Sequence, residues 1–152
     1  MIASAQTGTG KTAAFLLPII HRLITQPIID DEVNVLVIVP TRELAVQIAQ
    51  NLEAFSYFRL LALLPFTAAA MVHLLKAKKE HCRMVLTLPS TPGRMLSHLA
   101  AGYVRIKALK YLVLDEADRI LNMGFYEDIM KIISFLPQER QTLLFQLLCR
   151  LK

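Results

Sequence analysis

A chain of 152 residues, 55% hydrophobic and with a net charge of +5, has the length of a single domain with a real core. No apolar run in it is long enough for a membrane span. Its two cysteines, Cys82 and Cys149, lie far apart without His/Cys spacing, which argues against a zinc site or a disulfide framework. A reducing, cytoplasmic setting is expected, and, with only a few residues ahead of the first motif, no secretory leader is expected. The positive charge resembles a nucleic-acid signal, but it is unevenly placed. Arg59, Lys76, Lys78, Lys79 and Arg83 against Glu80 give residues 59–83 a net +4, Arg150 and Lys152 add +2, and −1 is left for the rest.

Met1 to Ser4 reads as the end of a strand. It feeds Ala5-Gln6-Thr7-Gly8-Thr9-Gly10-Lys11-Thr12, a phosphate-binding loop with its G-K-[ST] ending intact and Ala5 where the generic pattern has Gly. Successive backbone N–H groups in such a loop face one concavity that cradles a polyphosphate. Gly8 and Gly10 let the backbone approach the anion. Lys11 can reach the β and γ phosphates, and the Thr12 hydroxyl can ligate Mg²⁺. The bland reading, a Gly/Thr turn with an exposed Lys, becomes weaker as further motifs appear.

Residues 11–25 read as a helix, with Ala13, Ala14, Leu16, Leu17, Ile20 and Leu23 facing a core and Pro18 inside it. Residues 26–32 read as a loop. Val33 to Val39 is a β-branched run, as in a parallel strand buried on both faces. Pro40-Thr41-Arg42-Glu43-Leu44-Ala45 ends it and opens a helix to about Ala54, with Thr41 as N-cap. Taken alone, Thr41-Arg42-Glu43 is a cap followed by two solvated charges. It nevertheless falls at the C-terminal end of a strand, where open α/β sheets bind ligands.

Tyr111 to Leu114 is a second buried-strand run, followed by Asp115-Glu116-Ala117-Asp118. Carboxylates at the end of an apolar strand are costly unless they serve a cation or a proton. Behind a phosphate loop, Asp115 suits Mg²⁺ and Glu116 the attacking water. Without the loop, the same residues would be an acidic helix start. A short helix over 125–134 and a strand over Gln141–Phe145 complete the pattern.

The segments Ala5–Thr12, Pro40–Ala45, Thr91-Pro92-Gly93-Arg94 and Asp115–Asp118 resemble, in order and rough spacing, the first RecA-like domain of DEAD-box ATP-dependent RNA helicases. Asp118-Arg119-Ile120-Leu121-Asn122-Met123-Gly124-Phe125 is similar to the same family and leans to its bacterial members. The resemblance covers about residues 1–58 and 91–145. It implies a RecA-like α/β fold, a mostly parallel sheet flanked by helices. It also implies that Ala5 to Thr12 bind ATP, with Lys11 among the catalytic groups, that Thr12 and Asp115 hold Mg²⁺, and that Glu116 acts on the hydrolytic water. Asp118 would couple the ATP site to a Ser-Ala-Thr motif. Pro40, Thr41, Arg42, Glu43, Thr91, Pro92, Gly93 and Arg94 would contact the RNA backbone without reading bases.

The chain departs from the family in four places. The adenine-reading segment and the second RecA-like domain with its arginine fingers are not in it. Thr67-Ala68-Ala69-Ala70 replaces a Gly-Gly element, and Gln146-Leu147-Leu148 replaces Ser-Ala-Thr. The last two share one explanation. Phe145 to Lys152 can be coded by TTT CAG CTA CTA TGC CGC CTA AAA, and one added T makes the same bases read Phe-Ser-Ala-Thr-Met-Pro-Pro-Lys. Leu64 to Val72 can be coded by TTG CCG TTT ACG GCG GCA GCG ATG GTT, which reads Ile-Ala-Val-Tyr-Gly-Gly-Ser-Asp-Gly when begun one base earlier with an A. Residues 59–90 and 146–152 are therefore expected to be frame-shifted tracts in a partial domain spanning 1–152. Otherwise they are divergent segments, with an amphipathic helix over 67–80 and a strand over Met84–Leu88. His73 and His81 then have no metal role, and Lys76, Lys78 and Lys79 form a solvated face.

Three functions follow. The first is a truncated helicase core, weakly active or inactive alone, whose parent activity is ATP hydrolysis coupled to RNA unwinding. The second is a non-enzymatic nucleotide- or RNA-binding remnant, including a translated pseudogene product. The third is another phosphate-loop ATPase sharing only the loop and the acidic pair, against which Pro40–Ala45 and Thr91–Arg94 count.

Overall fold

The computed structural model describes residues 10–25, 32–56 and 86–146. The readings on Met1–Thr9, on the 26–31 loop and on residues 57–85 and 147–152 lie outside the described residues, including most of both anomalous tracts.

The described chain alternates helices and strands. Helix α1 spans Lys11–Thr25, strand β1 Val33–Ile38, helix α2 Arg42–Ser56 and strand β2 Leu86–Ser90. Helix α3 spans Pro92–Ala100, strand β3 Tyr111–Leu114, helix α4 Ala117–Asn122, helix α5 Tyr126–Phe135 and strand β4 Gln141–Leu144. The four strands form one sheet in the order β2-β1-β3-β4. All three strand pairs are parallel. The expected parallel α/β sheet is therefore present.

Strand β1 is central and buried throughout. Val35, Val37 and Val39 pack on the α1/α2 side with Ile48, Leu52, Tyr111 and Val113. Leu36 and Ile38 pack on the other side with Met95, Leu112, Ile120 and Ile132. Helices on both faces explain why β1 reads as a continuous apolar run instead of an alternating one. Val33 joins the second side despite its odd number, because the β1–β2 register slips between Val33 and Val35. Asn34, buried beside that slip, donates from Nδ2 to the Glu32 carbonyl at 2.8 Å.

Helix α1 has the expected bounds and buries Leu16, Ile20 and Leu23 as expected, but its inward face is turned toward Phe15 and Ile19. Phe15, Leu16, Ile19, Ile20 and Leu23 are buried, whereas Ala14 and Leu17 are exposed. The helix is apolar nearly all round, so either face satisfied the pattern. Pro18 decides between them. It lacks an N–H, so the Ala14 carbonyl loses its helical partner and needs water. The Ala14–Pro18 side must face solvent, and both residues are exposed. Strand β2 runs two residues beyond the expected end at Leu88, α3 was not anticipated as a helix, and α4 was anticipated only in the alternative reading of residues 115–118 as an acidic helix start. Thr91 in extended conformation followed by Pro92 at the first helical position is a sound start for α3.

Candidate nucleotide and RNA site

The candidate residues collect at the C-terminal rim of the sheet. Ile38 pairs with Ser90 on one side and with Leu114 on the other. Past the strand ends, the Val39 N–H donates to the Ser90 carbonyl (3.0 Å) and the Asp115 N–H to the Ile38 carbonyl (3.0 Å). Pro40–Glu43, Thr91–Arg94 and Asp115–Asp118 therefore leave one edge side by side. Helix α1 is tied to β4 near both of its ends. Phe15 packs on Phe145 with ring centroids 5.0 Å apart, and Arg22 Nη1 donates to Gln141 Oε1 at 3.2 Å. The N-terminus of α1, with Gly10, Lys11 and Thr12, thus stands at the same rim as Asp115.

Gly10 has φ +81, a backbone region that favours glycine, and its carbonyl accepts the Ala14 N–H (2.9 Å) to start α1. Lys11 and Thr12 are half-buried. Ala5, Gln6, Thr7, Gly8 and Thr9 lie outside the described residues.

Asp115 is only 4% exposed. Burial pushes its carboxyl above the usual range, and the Glu116 charge adds to this. The Glu116 N–H, which donates to Oδ1 at 3.0 Å, and the Lys11 ammonium pull the other way. Lys11 therefore acts electrostatically on Asp115, as a shared nucleotide site requires. A buried carboxylate at the rim that also carries Thr12 suits a small hard cation that takes few protein ligands and completes its shell with phosphates and water. Among the described residues no cluster of three or more His, Cys, Asp or Glu could form an all-protein metal cage. The donors present fit Mg²⁺ held with a polyphosphate.

Glu116 has φ 51 and ψ 46, a left-handed conformation uncommon for a residue with a Cβ. Its carboxylate pairs with Arg119 at 3.2 Å. Asp118 Oδ1 is buried and unpaired among the described residues, a costly state for a carboxylate oxygen. Nothing in the sequence signalled the Glu116 backbone or the Arg119 pair.

At the two helix starts, Pro40 and Pro92 are buried, while Arg42, Glu43 and Gly93 are exposed and Arg94 half-buried. Thr41 caps α2, with the Leu44 N–H donating to its Oγ1 at 3.4 Å. The Glu43 carboxylate folds back on its own N–H and the Thr41 hydroxyl, and these bonds lower its pKa. Behind Arg94, His98 is buried and hydrogen-bonded to the Tyr103 hydroxyl. Burial first, then the Arg94 charge, lowers its pKa.

The sequence matches the DEAD/DEAH box helicase family over residues 1–145. The chain belongs to that family. It is 42% identical over 146 residues to a DEAD-box ATP-dependent RNA helicase CshA of Geobacillus kaustophilus. It is 43% identical over 148 residues to an ATP-dependent RNA helicase CshA of Listeria monocytogenes, and 46% identical over 157 residues to DEAD-box ATP-dependent RNA helicase 26 of Oryza sativa. Each match covers 95% of this chain but only 30%, 27% and 27% of the respective relative. The parallel sheet with helices on both faces is the RecA-like α/β arrangement of the family. No helix among the described residues is long and apolar enough to cross a membrane.

Proposed function

We propose that this chain is a partial first RecA-like domain that binds ATP–Mg²⁺ and an RNA backbone, from an ATP-dependent RNA helicase. The observation that carries the proposal is the buried Asp115 under the influence of Lys11 at the rim where three strands end. Residues 5–12 would cradle the phosphates. Thr12 and Asp115 would hold Mg²⁺, which supplies charge neutralisation on the phosphates. Glu116 would orient the hydrolytic water. Pro40, Thr41, Arg42 and Glu43 with Thr91, Pro92, Gly93 and Arg94 would meet RNA phosphates and 2′-hydroxyls. A cytoplasmic setting goes with this reading.

Turnover by residues 1–152 alone is proposed to be slow. Within them, the charge developing on the γ-phosphate would be met by Lys11 and the metal, without an arginine finger, a group worth orders of magnitude in related NTPases. Gln146-Leu147-Leu148 in place of Ser-Ala-Thr favours the second reading, a binding remnant whose coupling step is lost. That loss follows if residues 59–90 and 146–152 are frame-shifted. The gene sequence tests this directly, since codons that cannot be re-read into Gly-Gly and Ser-Ala-Thr exclude it. RNA-stimulated ATP turnover, compared with Lys11→Ala, separates the enzyme from the remnant. A Lys11-dependent rate supports the enzyme, and identical background rates support the remnant.

A further inference from the structure

Glu116 is the only non-glycine among the described residues with a positive φ. Its surroundings hold it in that disfavoured conformation. Its N–H donates to Asp115 Oδ1 (3.0 Å), and its carbonyl accepts the N–H groups of Arg119 (2.9 Å) and Ile120 (3.0 Å). Arg119 also holds the side chain, donating from Nη1 to Glu116 Oε2 at 3.2 Å. A second cation, Lys11, is near enough to act on Asp115, the preceding residue, but makes no ion pair with Glu116. Backbone outliers held at a site by several contacts are the places where strain serves a function.

We propose that Arg119 is a positioning residue for Glu116. Its guanidinium holds the carboxylate off Lys11, which leaves Lys11 to the phosphates and Glu116 to the water. The proposal rests on the ATPase reading for the role of Glu116, but the contact itself does not. A purely structural role fits poorly. The Arg119 side chain is 58% exposed and the Glu116 side chain 23%, and pairs this open to solvent add little stability.

The test compares the full chain with Arg119→Gln and Arg119→Lys. In nucleotide-free protein, the ¹³C carboxyl resonance of Glu116, assigned with Glu116→Gln, is expected to move in Arg119→Gln and to return toward its wild-type position in Arg119→Lys. With ATP and RNA, Arg119→Gln is expected to lower kcat by about two- to fivefold through misplacement, with KM for ATP and the melting midpoint unchanged. An unmoved resonance in Arg119→Gln overturns the proposal whatever the rates. A moved resonance with unchanged kcat, or with a kcat loss matched by a lower melting midpoint, also overturns it. Wild-type protein without turnover overturns the ATPase reading instead, and the resonance still decides whether Arg119 holds Glu116.

Discussion

The body of the sheet and its C-terminal rim follow opposite rules. In the body, Val35, Leu36, Val37 and Ile38 on β1 and Leu112 and Val113 on β3 are wholly buried, and their neighbours are apolar. At the rim, the same β3 ends in a buried carboxylate, a left-handed Glu116 and an Asp118 oxygen without a partner among the described residues. The body gains stability from burial. The rim carries charge at a cost in stability, which under the proposed function a cation and phosphates would offset.

Substitutions in the rim should therefore separate function from stability. The largest effect is expected for Asp115→Asn. Loss of the charge proposed to bind the metal should lower turnover by at least about a hundredfold, a deficit of about 2.7 kcal/mol in the barrier. The apo protein should melt no lower than wild type and can melt higher. The sign follows from the raised carboxyl pKa. The folded state holds the Asp115 proton more tightly than the unfolded chain, so ionised Asp115 opposes folding above its ordinary range near pH 4. Parallel melting and turnover measurements check this, and a large loss of stability in Asp115→Asn would place Asp115 with the body.

Leu112→Ala should behave in the reverse manner. Leu112 is fully buried, so truncation should cost about 2–5 kcal/mol in denaturant unfolding. The lost activity should follow the lost folded fraction.

Arg42→Ala and Arg94→Ala probe the part of the rim assigned to RNA. Each should weaken single-stranded RNA binding similarly for all sequences and flatten the salt dependence by about 0.7 in log–log slope. Equal slopes for wild type and variants would remove these side chains from the phosphate contacts.

The smallest effects come from Glu116 and His98. Glycine at position 116 should be more stable than alanine there by about 1 kcal/mol, because only alanine meets the left-handed penalty. Buried His98, with its lowered pKa, takes a proton more readily when unfolded. It should therefore favour the folded state above about pH 6.5 and cost stability as the pH falls below that value, a slope that His98→Gln should remove.

The sequence exposed the body of the fold well, because β1 and β3 are two-sided strands and their apolar runs admit few other readings. The start of α2 was legible through Thr41, whose cap bond is present. The placement of Asp115 followed from the strand before it. The face of α1 was less legible, since Ala14 and Leu17 compete with Phe15 and Ile19 in an almost uniformly apolar helix. The exposed Pro18 was the overlooked clue. The conformation of Glu116 could not be read at all, because no residue type announces a left-handed glutamate. It arises from contacts with Asp115, Arg119 and Ile120 that exist only in the folded chain.

The central claim is that Lys11 and Asp115 share one nucleotide site at this rim. Calorimetric titration of the chain with a non-hydrolysable ATP analogue, with and without Mg²⁺, tests it most directly. The account predicts Mg²⁺-dependent binding to wild type that is lost in both Lys11→Ala and Asp115→Asn. Binding of equal strength in all three proteins, or binding indifferent to Mg²⁺, would contradict it.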